Sequence, residues 1–364
     1  MEFFQIAGAF HRGLELTSFK ILQKIKSMKH PDGKADKYSR RDFLRGSLIS
    51  VAGASTIFAS VRDSVGSENT TQSQSQPSEE EKVPLGTLGK AKISRIMVGG
   101  NLVSGYMHCR DLKYVGALFR AYVTEEKLME TFKLAEQYGI NTVFETGGEY
   151  VEKYNRRFNG KMQFIPHIKV EDGQADSVLR EHIKRQAATG AIALYIWGVA
   201  ADKLIQAGKI DLIKKTVEMA KKETDLPIGV GGHSLLVPMN CEKHSVPCDF
   251  YVKTLHSDDY PSATPKHLRK EFIWLDGGEG WYDNMWCINP EETIQFMKDV
   301  KKPWIAFKVL AAGAIYPRQA FPYAFSNGAD FIAVGMFDFQ IRENAILAAK
   351  VVRQTQKRAR PWYS

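Results

Sequence analysis

The chain has 364 residues, 44% of them apolar, with four cysteines and a formal charge of +9. Residues 1 to 60 hold ten Lys and Arg against five Asp and Glu, which leaves +4 for everything after, so the basic balance does not point to a nucleic-acid partner. The cysteines, Cys109, Cys241, Cys248 and Cys287, are sparse and form no C-x-x-C pattern, which excludes that kind of metal or haem-attachment motif.

Near the N-terminus, Ser39-Arg40-Arg41-Asp42-Phe43-Leu44 precedes a weakly apolar run from Gly46 to Val61. This order resembles a twin-arginine (Tat) export signal, with residues 1–60 as the signal region. The resemblance implies transport in the folded state by the Tat machinery to a periplasmic or extracellular site. It also implies that any cofactor is tightly held or metallic. The run is too rich in Gly, Ala and Ser for a stable membrane span, which needs about 20 predominantly apolar residues, so no span is expected after processing. Ala52-Gly53-Ala54 and Ala59-Ser60 are alternative cleavage regions, and Met28 is a candidate start.

Residues 61–82, rich in Ser, Gln and Glu, have almost nothing to bury and read as a disordered tether. From 83 to 364, apolar strand-like runs alternate with amphipathic helices. Strands are expected at Ile96 to Val98, Thr142 to Glu145, Phe164 to Val170, Ala191 to Trp197, Pro227 to Val230, Asp249 to Leu255, Trp304 to Leu310 and Asp330 to Val334. Eight short apolar runs of this kind suit a parallel sheet covered by helices, and the fold expected is an α/β (β/α)8 TIM barrel preceded by a β-hairpin. Thr124 caps one helix, with Glu125 and Glu126 in its first turn and Gly139 as its stop. Another begins Asn289-Pro290-Glu291-Glu292 and buries Thr293, Phe296, Met297 and Val300. Cys241 and Cys248 either bridge a helix-to-strand turn or remain two buried thiols. The tail Lys357-Arg358-Ala359-Arg360 reads as a solvated helix end.

In such a barrel, chemistry gathers at the C-terminal strand ends. There the sequence places Glu145, His167, Lys169, His233, Lys253, His256, Asp258, Lys308 and Asp338. His167 and Lys169 are two apart and share a strand face. A buried Lys169 calls for a carboxylate, and Glu145 on the neighbouring strand is the natural partner.

Val83-Pro84-Leu85-Gly86-Thr87-Leu88-Gly89 with Ile93 to Gly100, Asn141 to Thr146 with Tyr150, His167-Ile168-Lys169-Val170, and Ala193 to Trp197 together resemble the aldo/keto reductases. By that resemblance Tyr150 is the proton donor, Lys169 lowers its pKa, Glu145 replaces an aspartate, and Trp197 occupies a histidine position. His167, Lys253, Lys308, Trp281 and Trp286 fall in the substrate region. Gly335, Arg342 and Asn344 mark the cofactor region, and NADP(H) is the cofactor implied. A small carbonyl compound or sugar is the expected substrate. One alternative is a metal-assisted sugar isomerase, epimerase or lyase holding a divalent metal through His233, His256 and Asp258. Another is a non-catalytic barrel in which Trp197, Trp274, Trp281 and Trp286 offer an aromatic platform to a carbohydrate.

Overall fold

A computed structural model describes residues 76–109, 112–269 and 285–364. The export-like segment, Trp274 and Trp281 lie outside the described residues. Strands β1 (Leu85–Leu88) and β2 (Ala91–Ser94) form an antiparallel hairpin. Eight parallel strands follow: β3 (Ile96–Gly99), β4 (Thr142–Glu145), β5 (Gln163–Ile168), β6 (Leu194–Ile196), β7 (Ile228–Gly232), β8 (Phe250–Thr254), β9 (Trp304–Phe307) and β10 (Phe331–Val334). They close in the order β10-β3-β4-β5-β6-β7-β8-β9, which is a (β/α)8 barrel with a hairpin ahead of it. Among the described residues no helix is long and apolar enough to cross a membrane.

Alternation along each strand sorts side chains into two cores. Met97, Phe144, Ile165, Tyr195, Phe250, Val252, Ile305 and Phe331 fill the barrel, joined by Leu88 and Ile93 of the hairpin. Val98, Val143, Ile168, Ile196, Tyr251, Trp304 and Ile332 point outward under the helices. Phe250 crosses so close to Gly229 that a Cβ there would stand 2.5 Å from its ring, so β7 is bare where its neighbour is large. Truncating Phe250 to Ala would cost about 3–5 kcal/mol, because the glycine opposite cannot fill the void.

Strand ends depart from the apolar runs for local reasons. β9 stops at Phe307 because Lys308 has φ 60°, and β4 stops at Glu145 with φ 82°. β5 stops at Ile168, which leaves Lys169 beyond the ladder and exposed. The Thr124 cap is present, its hydroxyl accepting from the Lys127 amide at 3.3 Å, and Pro290 opens its helix.

Two expectations are corrected. The end of the expected tether belongs to the barrel body: Arg353 donates to the carbonyls of Glu79 (2.8 Å) and Lys82 (3.0 Å) and to that of Glu80. The basic tail is not a solvated helix end, since the last helix, Asp338–Gln354, stops before it. Arg358 and Arg360 instead face the fully buried Asp330 at 3.6 and 3.5 Å. Cys241 and Cys248 are buried free thiols, and burial pushes both pKa values up.

Candidate functional site

A cavity of about 230 Å³ opens at the C-terminal mouth, between the ends of β3, β4, β9 and β10. Asn101, His108, Glu145, Lys308, Gly335 and Gln340 are among the residues around it. Its floor depends on Gly100, where a Cβ would meet the Phe144 carbonyl oxygen at 2.4 Å.

Glu145 is held from behind, at the end of β4. Trp197 Nε1 donates to its Oε1 at 2.9 Å, and the buried Tyr195 phenol lies near the same carboxylate. Burial, reinforced by that carboxylate, holds the Tyr195 phenol well above its usual pKa, so it stays a donor. Tyr195 in turn stacks on Phe144 at 5.0 Å. The backbone oxygen of Glu145 accepts from His167 Nδ1 at 3.0 Å, which puts the imidazole proton on that nitrogen. Burial lowers the His167 pKa, and its ring stacks on Trp197 at 5.4 Å.

Across the mouth, with β10 and β3 between, Lys308 presents its ammonium. Nζ lies 4.1 Å from the Trp286 ring centroid and contacts His108 Nε2. Asn101 Nδ2 donates to the same imidazole nitrogen at 3.2 Å. Two donors on one nitrogen make Nε2 the accepting atom of His108. Trp286 is fully buried beneath His108 and His233, at centroid distances of 4.6 and 5.2 Å. It is therefore a packed wall, not the open ring of an aromatic platform.

The reductase-like set does not assemble. Tyr150 sits in the helix Gly148–Phe158, packs against the outer core, and has Lys153 over its ring at 5.3 Å. Lys169 is exposed, its Nζ 5.6 Å from the Trp197 centroid. Among the described residues Lys169 pairs with neither Glu145 nor the Tyr150 hydroxyl, because the strand that was to aim it inward has already ended. Lys253 points outward from β8, where Nζ donates to Thr254 O (3.0 Å) and Oγ1 (2.8 Å) and lies 3.9 Å from Cys287 Sγ.

The metal set does not assemble either. His233 Nδ1 is 2.7 Å from Asp202 Oδ2, and the amides of His233 and Ser234 donate to that same buried carboxylate at 3.0–3.1 Å. Burial lowers the His233 pKa against the opposing pull of Asp202. His256 uses both nitrogens: Nδ1 donates to Ser257 O at 2.8 Å, and Nε2 accepts from the amides of Trp286 (3.0 Å) and Cys287 (2.8 Å). Burial brings its pKa down to about 4. Asp258 is bound to Arg269 at 2.6 Å. Among the described residues no group of three or more His, Cys, Asp or Glu could hold a metal ion.

Nor do the residues of the cofactor region fit a dinucleotide phosphate. Gly335 lines the cavity, but Arg342 is exposed on the last helix and Asn344 is buried under it. That helix begins with the carboxylate Asp338, bound by Lys127 (2.8 Å) and Tyr122 (2.6 Å). Burial works against this carboxylate, but those two donors hold its pKa below the usual range. The local cation is thus already committed, and an added phosphate would face a negative charge.

Tyr195, Asn101, His108 and Asp202 had no site role from sequence. Tyr195 has the inward parity of β6, and Asn101 and His108 follow β3, so the rule on strand ends reaches them. Asp202 lies within the helix Gly198–Gln206 and carries no such signal.

No family model matches the chain, and no curated protein matches it. Several solved structures are similar. A protein from Pseudomonas aeruginosa, provisionally assigned as an aldo-keto reductase, shares 16% identity over 74% of this chain and 94% of that one, with a TM-score of 0.49. A truncated 3-deoxy-D-arabino-heptulosonate 7-phosphate synthase from Thermotoga maritima shares 11% over 76% and 91%, with a TM-score of 0.39. An (S)-mandelate dehydrogenase shares 10% over 77% and 81%, with a TM-score of 0.41.

Proposed function

We propose that this barrel is an acid–base enzyme acting on a small hydroxy-carbonyl compound of the sugar kind, with Glu145 moving a proton at the carbon beside the carbonyl. The observation that carries the reading is the seat of Glu145: a carboxylate on the cavity wall, oriented from behind by Trp197. A carboxylate has about four lone-pair sites, and the Trp197 donor behind it leaves capacity toward the cavity. Lys308 across the mouth and Asn101 beyond the end of β3 supply donors for the substrate oxygen on which charge develops. A cavity of about 230 Å³ suits a ligand smaller than the drug-sized molecules that fill pockets of roughly 300–1,000 Å³. The reaction class is isomerisation or epimerisation: the proton leaves carbon for Glu145 and returns to the same carbon in epimerisation, or to the adjacent carbon in isomerisation, where the hydroxyl proton also passes to the former carbonyl oxygen. The same proposal puts this activity outside the cytoplasm, and the resemblance of residues 39–61 to an export signal supports that part of it.

The test is exchange of carbon-bound hydrogen in deuterium oxide, followed by NMR over a panel of aldoses, ketoses, and 2-hydroxy and 2-keto acids. Glu145→Gln is expected to lower the exchange rate by about 10²–10⁴-fold. Exchange that survives the substitution, or stoichiometric nicotinamide released on denaturation together with hydride transfer to the same compounds, would replace this reading with the reductase one.

A further inference from the structure

We infer that the substrate carries an oxyanion, a carboxylate or a phosphate, and that the Lys308 side of the cavity is its seat. This deepens the reading of Glu145 as the proton-transferring residue and rests on it for the direction in which the substrate lies. Lys308 ends β9 in a left-handed conformation, which turns the chain so that its side chain lines the mouth. The face of Trp286 at 4.1 Å and the accepting nitrogen of His108 both favour the ammonium form.

Gly335 and Gly99 approach so closely that a Cβ on Gly99 would stand 2.8 Å from Gly335 N, and the Leu102 side chain lies beside Gly335, 3.2 Å from where a Cβ would stand. Beyond Lys308 the turn passes through Ala311, Ala312 and Gly313, all left-handed, and folds around the same cavity. Phe337 and Gln340, at the start of the 17-residue helix Asp338–Gln354, complete the wall.

The two walls differ in sign, and this orients the substrate. An anion beside the Glu145 carboxylate would be repelled, and the same anion at Lys308 attracted. The reversed pose is therefore strongly disfavoured. The anionic end sits at Lys308, and the reacting carbon lies toward Glu145.

The test is titration of the purified full chain with inorganic phosphate and, separately, with sodium acetate, read by calorimetry, for the wild type, Lys308→Met, Lys308→Arg and Glu145→Gln. One saturable site is expected for at least one of the two anions, and which one binds distinguishes a phosphate from a carboxylate. Lys308→Met should weaken that binding tenfold or more, as loss of a charged hydrogen-bond partner does, while Lys308→Arg should retain it within several-fold. Glu145→Gln should keep or tighten anion binding while abolishing exchange. If circular dichroism shows that Lys308→Met does not fold, Gln340→Glu serves instead. It preserves the acceptor for the Phe337 amide, puts a negative charge in the same wall, and should weaken binding by a similar factor. Absence of saturable binding by both anions, or binding by the folded variant equal to wild type, overturns the inference. Exchange that survives Glu145→Gln overturns the acid–base reading instead and leaves the anion titration to stand by itself.

Discussion

Acid should destabilise this protein through His256. In the folded chain its imidazole must be neutral, because Nδ1 donates to Ser257 O while Nε2 faces two amide donors, those of Trp286 and Cys287. A proton on Nε2 would point at two N–H groups, and burial brings the pKa down from 6.5 to about 4. The unfolded chain binds that proton near pH 6.5 and the folded chain near pH 4. Between these values the unfolded state holds more protons, so stability rises with pH. The contribution is fully present above pH 6.5 and is lost as pH falls toward 4. At about 1.36 kcal/mol per unit, a shift of this size amounts to roughly 3 kcal/mol. The assay is urea unfolding of wild type and His256→Gln at pH 7, 6, 5 and 4. The variant is expected to start about 1–3 kcal/mol less stable at pH 7, because two buried amides lose their acceptor. It should then fall more shallowly with acid, by about 3 kcal/mol over the range. Parallel loss in the two proteins would refute the assignment of the neutral, doubly bonded imidazole.

Further outcomes follow from the same geometry. Tyr150→Phe and Lys169→Met should leave deuterium exchange within about twofold of wild type, since neither group lines the cavity; a loss of about 10²-fold or more in either would restore the reductase-like set. Asp202→Asn should cost about 2–4 kcal/mol in urea unfolding, because the fully buried carboxylate accepts from the His233 and Ser234 amides as well as facing the His233 ring; a change under about 0.5 kcal/mol would show that this network does not hold the β7 turn. Arg40→Lys with Arg41→Lys should leave the chain in the cytoplasm of its host, measured by fractionation, and unchanged export would refute the twin-arginine reading.

What the sequence determined by itself was the barrel and the address of its site. Eight apolar runs separated by capped helices are a local pattern, written in side chains four to eight residues at a time, and the closed sheet has its strands at all eight places. The positions of Glu145 and Lys308 at the mouth follow from the same pattern, because a polar residue ending an apolar strand can only be at its C-terminal rim. Tertiary structure alone decided which rim residues meet. Strand parity aimed Lys169 inward only while β5 continued, and β5 ends one residue before it. Tyr150 is in the first turn of a helix whose rotation on the barrel is set by packing, and packing turned the ring to the outer layer. Asp202 and His233 are 31 positions apart and belong to consecutive strand–helix units, so no spacing rule links them. The rim histidines look alike as sequence, yet main-chain amides that reach His256 from Trp286 and Cys287, about 30 positions away, occupy the nitrogen a metal would need. Periodicity reports which face a residue shares with its near neighbours; which distant group satisfies a buried polar atom depends on how the loops close, and only the assembled barrel settles that.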